Sequence, residues 1–108
     1  MKIKEWNELP QGYIGNIEWE DGTRIWFKNG NYHRENGPAF IRNDGYKEWF
    51  LDGKYIWNLN KKLGLINKII LSKTKHPKYP TIQIWKILDE NKVYEQLIIP
   101  GMEELIIE

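Results

Sequence analysis

The sequence predicts a mainly β protein with one helix (α+β), an antiparallel β-meander of tandem hairpins packed by a helix and a C-terminal β-hairpin. Three observations carry that expectation. Turn-forming pairs recur through the first half at Asp21-Gly22, Asn29-Gly30, Asn36-Gly37, Asp44-Gly45 and Asp52-Gly53, with five or six residues between them, which is one strand length each. A longer period of 23 lies over these turns: Asp21-Gly22 returns as Asp44-Gly45, Trp26-Phe27 as Trp49-Phe50, Asn29-Gly30 as Asp52-Gly53, and Tyr32 as Tyr55. Beyond residue 58 the pattern changes, first to apolar residues at helical spacing and then to two β-rich runs.

The meander spans residues 13–57. Asn-Gly and Asp-Gly suit two-residue type I′ turns because both central residues need positive φ. Two-residue turns then fix the faces. A turn at 21–22 sets Trp19 opposite Arg24 and Ile17 opposite Trp26. A turn at 29–30 sets Phe27 opposite Tyr32 and Trp26 opposite His33, and a turn at 52–53 sets Phe50 opposite Tyr55 and Trp49 opposite Ile56. Both faces carry aromatics. About two repeats are too few to bury a core alone, so the rest of the chain is expected to cap them.

The run Tyr32-His33-Arg34-Glu35-Asn36-Gly37-Pro38-Ala39, followed by Asp44-Gly45-Tyr46-Lys47-Glu48-Trp49 and Asp52-Gly53-Lys54, resembles the "HRENGPA" subtype of MORN-variant repeat, found in phage, giant-virus and bacterial proteins. The resemblance covers residues 17–57 and implies β-hairpin repeats that serve as binding scaffolds, with no catalytic residues to transfer. The chain holds one full box, and Ile56 stands where a second His33 would fall. By analogy with a phage origin, the resemblance implies an inhibitor of a host defence system such as CRISPR, with a nucleic-acid-processing host complex as partner.

In the second half, Asn58 or Asn60 caps an expected basic amphipathic helix over 58–73, with Leu59, Leu63, Ile66 and Ile70 on one side. Gly64 opposes it. His76-Pro77 and Tyr79-Pro80 mark a loop. Residues 81–88 and 93–99 read as strands joined by a turn at Asp89-Glu90-Asn91-Lys92, and Met102 to Glu108 as a final strand or a short helix within an acidic tail. The predicted organisation is one domain, 1–108, with the helix laid across the sheet face that carries Phe27, Phe50, Tyr32 and Tyr55.

Composition narrows the chemistry. There is no Cys among the 108 residues, which removes disulfides, thiolate catalysis and thiolate metal sites. The N-terminal residues lack the apolar core of a signal peptide, and the expectation is a cytoplasmic protein with no membrane partner. His33 and His76 are the only histidines and Ser72 the only serine; no nucleophile motif or convergent ligand spacing surrounds them. A hydrogen-bonded His within a sheet accounts for His33, and turn chemistry accounts for Asp21, Asp44 and Asp52. No phosphate loop precedes a helix. No enzyme activity and no cofactor or metal are therefore expected.

Two binding readings remain. The first is a protein–protein module that uses Trp19, Arg24, Trp26, Tyr32, Arg34, Arg42 and Trp49 on the sheet, because Trp, Tyr and Arg dominate interface energetics. The second starts from charge. Net charge is −1 over residues 1–57, +7 over 58–86 and −5 over 87–108. Lys61, Lys62, Lys68, Lys73, Lys75 and Lys78, with Tyr79 and Trp85, would contact phosphates and stack on bases of a nucleic acid or nucleotide. All seven charges of that segment are Lys, which disfavours bidentate readout, and a solvated face is the simpler account of it. The sequence sets no oligomeric state.

Overall fold

The turn pairs of the first half do not all make the same turn, and that difference sets the fold. In the computed structural model, which describes residues 1–108, Asn29-Gly30 and Asp52-Gly53 have φ of 51° and 78°, and of 51° and 80°. Both are two-residue turns with positive φ at each central position, as type I′ requires. At Asp21-Gly22 and Asp44-Gly45 only the glycine has positive φ, 95° in each case. These are three-residue loops: the Gly22 amide donates to the Trp19 carbonyl at 2.9 Å and the Trp19 amide to the Thr23 carbonyl at 2.7 Å, and Gly45 and Arg42 repeat this with Arg42 and Tyr46 at 2.9 and 2.8 Å. The aspartates hold the loops, since Asp21 Oδ1 accepts the Thr23 amide at 2.9 Å and Asp44 Oδ1 the Tyr46 amide at 3.1 Å. The 23-residue period thus alternates two kinds of hairpin. Asn36-Gly37 makes neither kind of turn, having no positive φ.

The strands are β1 (Lys2–Ile3), β2 (Gly15–Trp19), β3 (Arg24–Lys28), β4 (Asn31–Tyr32), β5 (Phe40–Ile41), β6 (Lys47–Leu51), β7 (Lys54–Asn58), β8 (Leu63–Gly64), β9 (Lys68–Lys75), β10 (Gln83–Asp89), β11 (Lys92–Ile98) and β12 (Ile106–Ile107), with short 3-10 turns at Trp6–Glu8 and Met102–Leu105. The chain divides into two compact units, Met1–Arg34 with Pro38–Asn60, and Glu35–Gly37 with Lys61–Glu108.

The first unit is one sheet in the order β1-β2-β3-β5-β6-β7, with β4 also beside β3. β1 runs parallel to β2, and the hairpins are antiparallel. β4 and β5 are two pieces of one strand position, both paired with β3. Residues 33–39, the resembling box, form the excursion between them. One face of the sheet buries Ile3, Ile17, Ile25 and Phe27, against which Leu9, Tyr13, Trp19, Tyr32 and Phe40 pack. The N-terminal segment supplies part of this core, and its 3-10 turn is tied by Glu8, whose carboxylate accepts the Lys4 and Glu5 amides at 2.7 and 2.8 Å. Those backbone bonds hold the Glu8 carboxyl below its ordinary range.

The three-residue loop shifts the first hairpin by one residue from the expected register. Ile17 faces Ile25 and Glu18 faces Arg24, so Trp19 joins the face of Ile17 and not that of Arg24. A one-residue slip exchanges faces because side chains alternate. At the two type I′ turns the expected pairs form, Phe27 with Tyr32 and Phe50 with Tyr55. In β7 a bulge at Ile56 puts Trp57, not Ile56, opposite Trp49.

The expected helix over 58–73 does not exist, so the fold is nearly all β, not α+β. Residues 63–64 form β8 and residues 68–75 form β9. Leu63 and Leu65 are both buried while Ile66 is 75% exposed, a period of two that no helical stripe produces. Asn67 has φ of 61°, which ends any right-handed helix there, and the β-branched pair Ile69-Ile70 then favours a strand. No face can therefore be covered by a helix in the way the sequence suggested. The second unit contains a three-stranded antiparallel sheet, β11-β10-β9, and a parallel pair, β12 with β8. β10 and β11 form a hairpin closed by Asp89 and Lys92, and the last residues supply both a 3-10 turn and a strand. Tyr79, Ile82, Trp85, Ile87, Ile98 and Met102 are among its buried residues. No helix is long and apolar enough to cross a membrane.

Candidate functional site

The seven residues expected to bind a protein do not form one patch. Trp19 and Tyr32 pack against the buried cluster of the first unit. Trp49 is 1% exposed, and a side chain so enclosed cannot serve as a contact residue; burial in the core accounts for its presence in the repeat. Arg42 is exposed, and its Nε and Nη2 donate to the two carboxylate oxygens of Asp44 at 2.9 and 2.8 Å. This fork holds the Asp44 carboxyl down to about 2, and the Arg42 guanidinium also stacks on Tyr46 at 4.7 Å. Arg42 is thus satisfied within its own loop.

Arg24, Trp26 and Arg34 do come together. Strand alternation puts Arg24 and Trp26 on one face of β3, and the His33 amide, donating to the Trp26 carbonyl at 3.0 Å, continues the ladder past β4 so that Arg34 arrives beside them. The Arg34 guanidinium lies over the Trp26 ring, 3.8 Å from its centroid. Both side chains are half-buried. Arg24 is neutralised by Glu18, to whose carboxylate it donates at 2.6 Å; that bond leads the causes holding the Glu18 carboxyl below its ordinary range.

Arg34 has no such partner. Its Nη1 donates to the Pro38 carbonyl at 3.1 Å, and no carboxylate makes an ion pair with it. Burial pushes the guanidinium down from its ordinary range, and the charge of Arg24 pushes the same way. Arg remains charged in a protein. A half-desolvated cation with most of its five donors unfilled is costly, although the ring beneath returns part of that cost. The residue type alone marks Arg34 as a candidate; nothing in the sequence signals its missing counter-charge.

His33 is structural. It is 5% exposed, and its Nδ1 accepts the Asp52 backbone amide at 2.9 Å. The Asp52 carboxylate also lies close, 3.2 Å from the same nitrogen. The His of the box thereby ties the end of β4 to the second type I′ turn. No three His, Cys, Asp or Glu side chains converge as metal ligands.

The basic segment is partly engaged with neighbouring side chains. Lys68 pairs with Asp89 at 3.8 Å, Lys73 lies over Trp85 at 4.1 Å and Lys78 over Tyr79 at 5.3 Å. Trp85 and Tyr79 are 7% and 3% exposed; bases cannot stack on rings that are enclosed and already covered by lysine. Lys61 and Lys62 precede β8, and Lys75 ends β9. With both rings enclosed, the segment lacks the stacking platforms that the nucleic-acid reading requires.

No protein-family model, no curated protein and no solved structure matches this chain.

Proposed function

We propose that the protein is a non-enzymatic binding module whose partner is another protein, and that Arg34 stacked on Trp26 is the centre of the contact. The observation that carries this reading is the half-buried guanidinium without a counter-charge. A carboxylate from a partner would fill the idle donors in a fork that Arg alone provides, and the surrounding Trp supplies the apolar body of a hot spot. Because the repeat resembles one found in phage proteins, components of a host defence system such as CRISPR are the first partners to try, with the protein acting as their inhibitor.

The test is capture from host lysate with the whole chain as bait, run beside Arg34→Met and Trp26→Ala baits. A protein retained by the wild type and lost by both variants supports the reading. Equal retention by all three baits, or turnover of a small substrate with no protein retained, refutes it.

A further inference from the structure

The sheet of the second unit ends on β9, an eight-residue strand whose only ladder is with β10. The His76 amide donates to the Ile82 carbonyl at 2.8 Å. In an antiparallel ladder this sets the phase: Thr74 and Ser72 turn their backbone groups toward β10, and Lys73 and Lys75 turn theirs away. No other backbone bond reaches the outer side of residues 69–75. The strand lies open to solvent: Lys73, Thr74 and Lys75 are all exposed, and Ile69 and Leu71 are 58% and 48% exposed.

An open edge of this length is a template for another strand. Charge decides which strand. Lys73, Lys75 and Lys78 have no carboxylate within ion-pair distance. A second copy of β9 in symmetric antiparallel pairing would set Lys68 against Lys75 at both ends, and like charges placed opposite one another are destabilising. An extended segment rich in Asp or Glu meets the reverse situation: carboxylates beside Lys73 and Lys75, and apolar residues over Ile69 and Leu71.

We propose that the outer edge of β9 docks an extended acidic segment of a protein partner, which adds as a fourth strand to the β11-β10-β9 sheet. The site lies in a different unit from Arg34 and does not depend on the role given to that residue.

The experiment uses the whole chain and a synthetic nine-residue peptide alternating Glu with Val and Thr, labelled for fluorescence anisotropy. Saturable binding is expected, with amide shifts confined to residues 68–75 and their β10 neighbours. A peptide of the same sequence carrying N-methyl groups on alternate amides keeps the charge but loses the donors of one edge, and should bind at least tenfold more weakly. Lys73→Glu with Lys75→Glu should weaken binding at least tenfold without changing the circular dichroism spectrum. Equal binding of the N-methylated peptide would reduce the site to plain charge attraction and overturn the proposal. So would absence of binding, shifts confined to the β11 edge, or a concentration-dependent dimer abolished by the same double substitution.

Discussion

Trp26 and Trp49 occupy the same position of the 23-residue repeat and the same face of the sheet, yet Trp49 is 1% exposed and Trp26 half-buried. Replacing each with Ala separates what the repeat equates. Trp49→Ala removes a fully enclosed ring and leaves a cavity, a change that costs about 3–5 kcal/mol. Trp26→Ala loses only part of its transfer energy, because water can fill the space, together with the stack of Arg34, itself about 0.5–2 kcal/mol. The total for Trp26 is about 2 kcal/mol, so Trp49→Ala should be the more damaging by about 1–3 kcal/mol. Urea unfolding followed by far-ultraviolet circular dichroism measures both, provided the slopes with denaturant agree. At roughly 4–8 °C per kcal/mol for a chain of this size, the two midpoint temperatures should also be clearly resolved. Equal losses, or a larger loss for Trp26→Ala, would refute the assignment of Trp49 to the core and Trp26 to the surface.

Other predictions follow from the turns and their side chains. Asp44 has a depressed carboxyl pKa, so the stability it contributes is present above its ordinary 3.8 and lost as pH falls through about 2; acid titration of stability should show a wild-type decline in that window whose Asp44 component is absent in Asp44→Asn. Gly53→Ala meets both a φ of 80° and the Asn31 side chain at 3.3 Å, whereas Gly45→Ala, at φ of 95°, meets open space; the first should cost more than the second, which itself should cost about 1 kcal/mol by denaturant unfolding. His33→Ala should destabilise by about 1–3 kcal/mol, because it takes the acceptor from the Asp52 amide and empties a buried site.

The two type I′ turns were legible because Asn-Gly and Asp-Gly followed by aromatic pairs admit one register, and Phe27 with Tyr32 and Phe50 with Tyr55 pair accordingly. The same dipeptide at 21–22 and 44–45 also serves a three-residue loop. In that loop the Asp side chain accepts the amide two residues on, whereas Asp52-Gly53 makes the two-residue turn, so the dipeptide alone does not distinguish the two. That one residue moved Trp19 to the other face. Over 58–73 two patterns compete: Leu59, Leu63, Ile66 and Ile70 satisfy helical spacing, while Leu63 and Leu65 equally satisfy a strand. The left-handed Asn67 and the tertiary burial of Leu65 decide between them. At the candidate site, the repeat indicated which face Trp26 and Trp49 share but not how deeply each is buried. The stacking of Arg34 on Trp26 depends on the excursion of residues 33–39, which no periodicity describes.

The claim that Arg34 is the centre of a protein contact is tested most directly by calorimetric titration of the captured partner into wild-type protein and into Arg34→Met, with Lys92→Met as a control in the second unit. Loss of a half-buried Arg that receives a carboxylate should cost at least about 2 kcal/mol, or roughly thirtyfold in affinity, with Lys92→Met unchanged. An Arg34→Met protein that binds its partner within twofold of the wild type would contradict it.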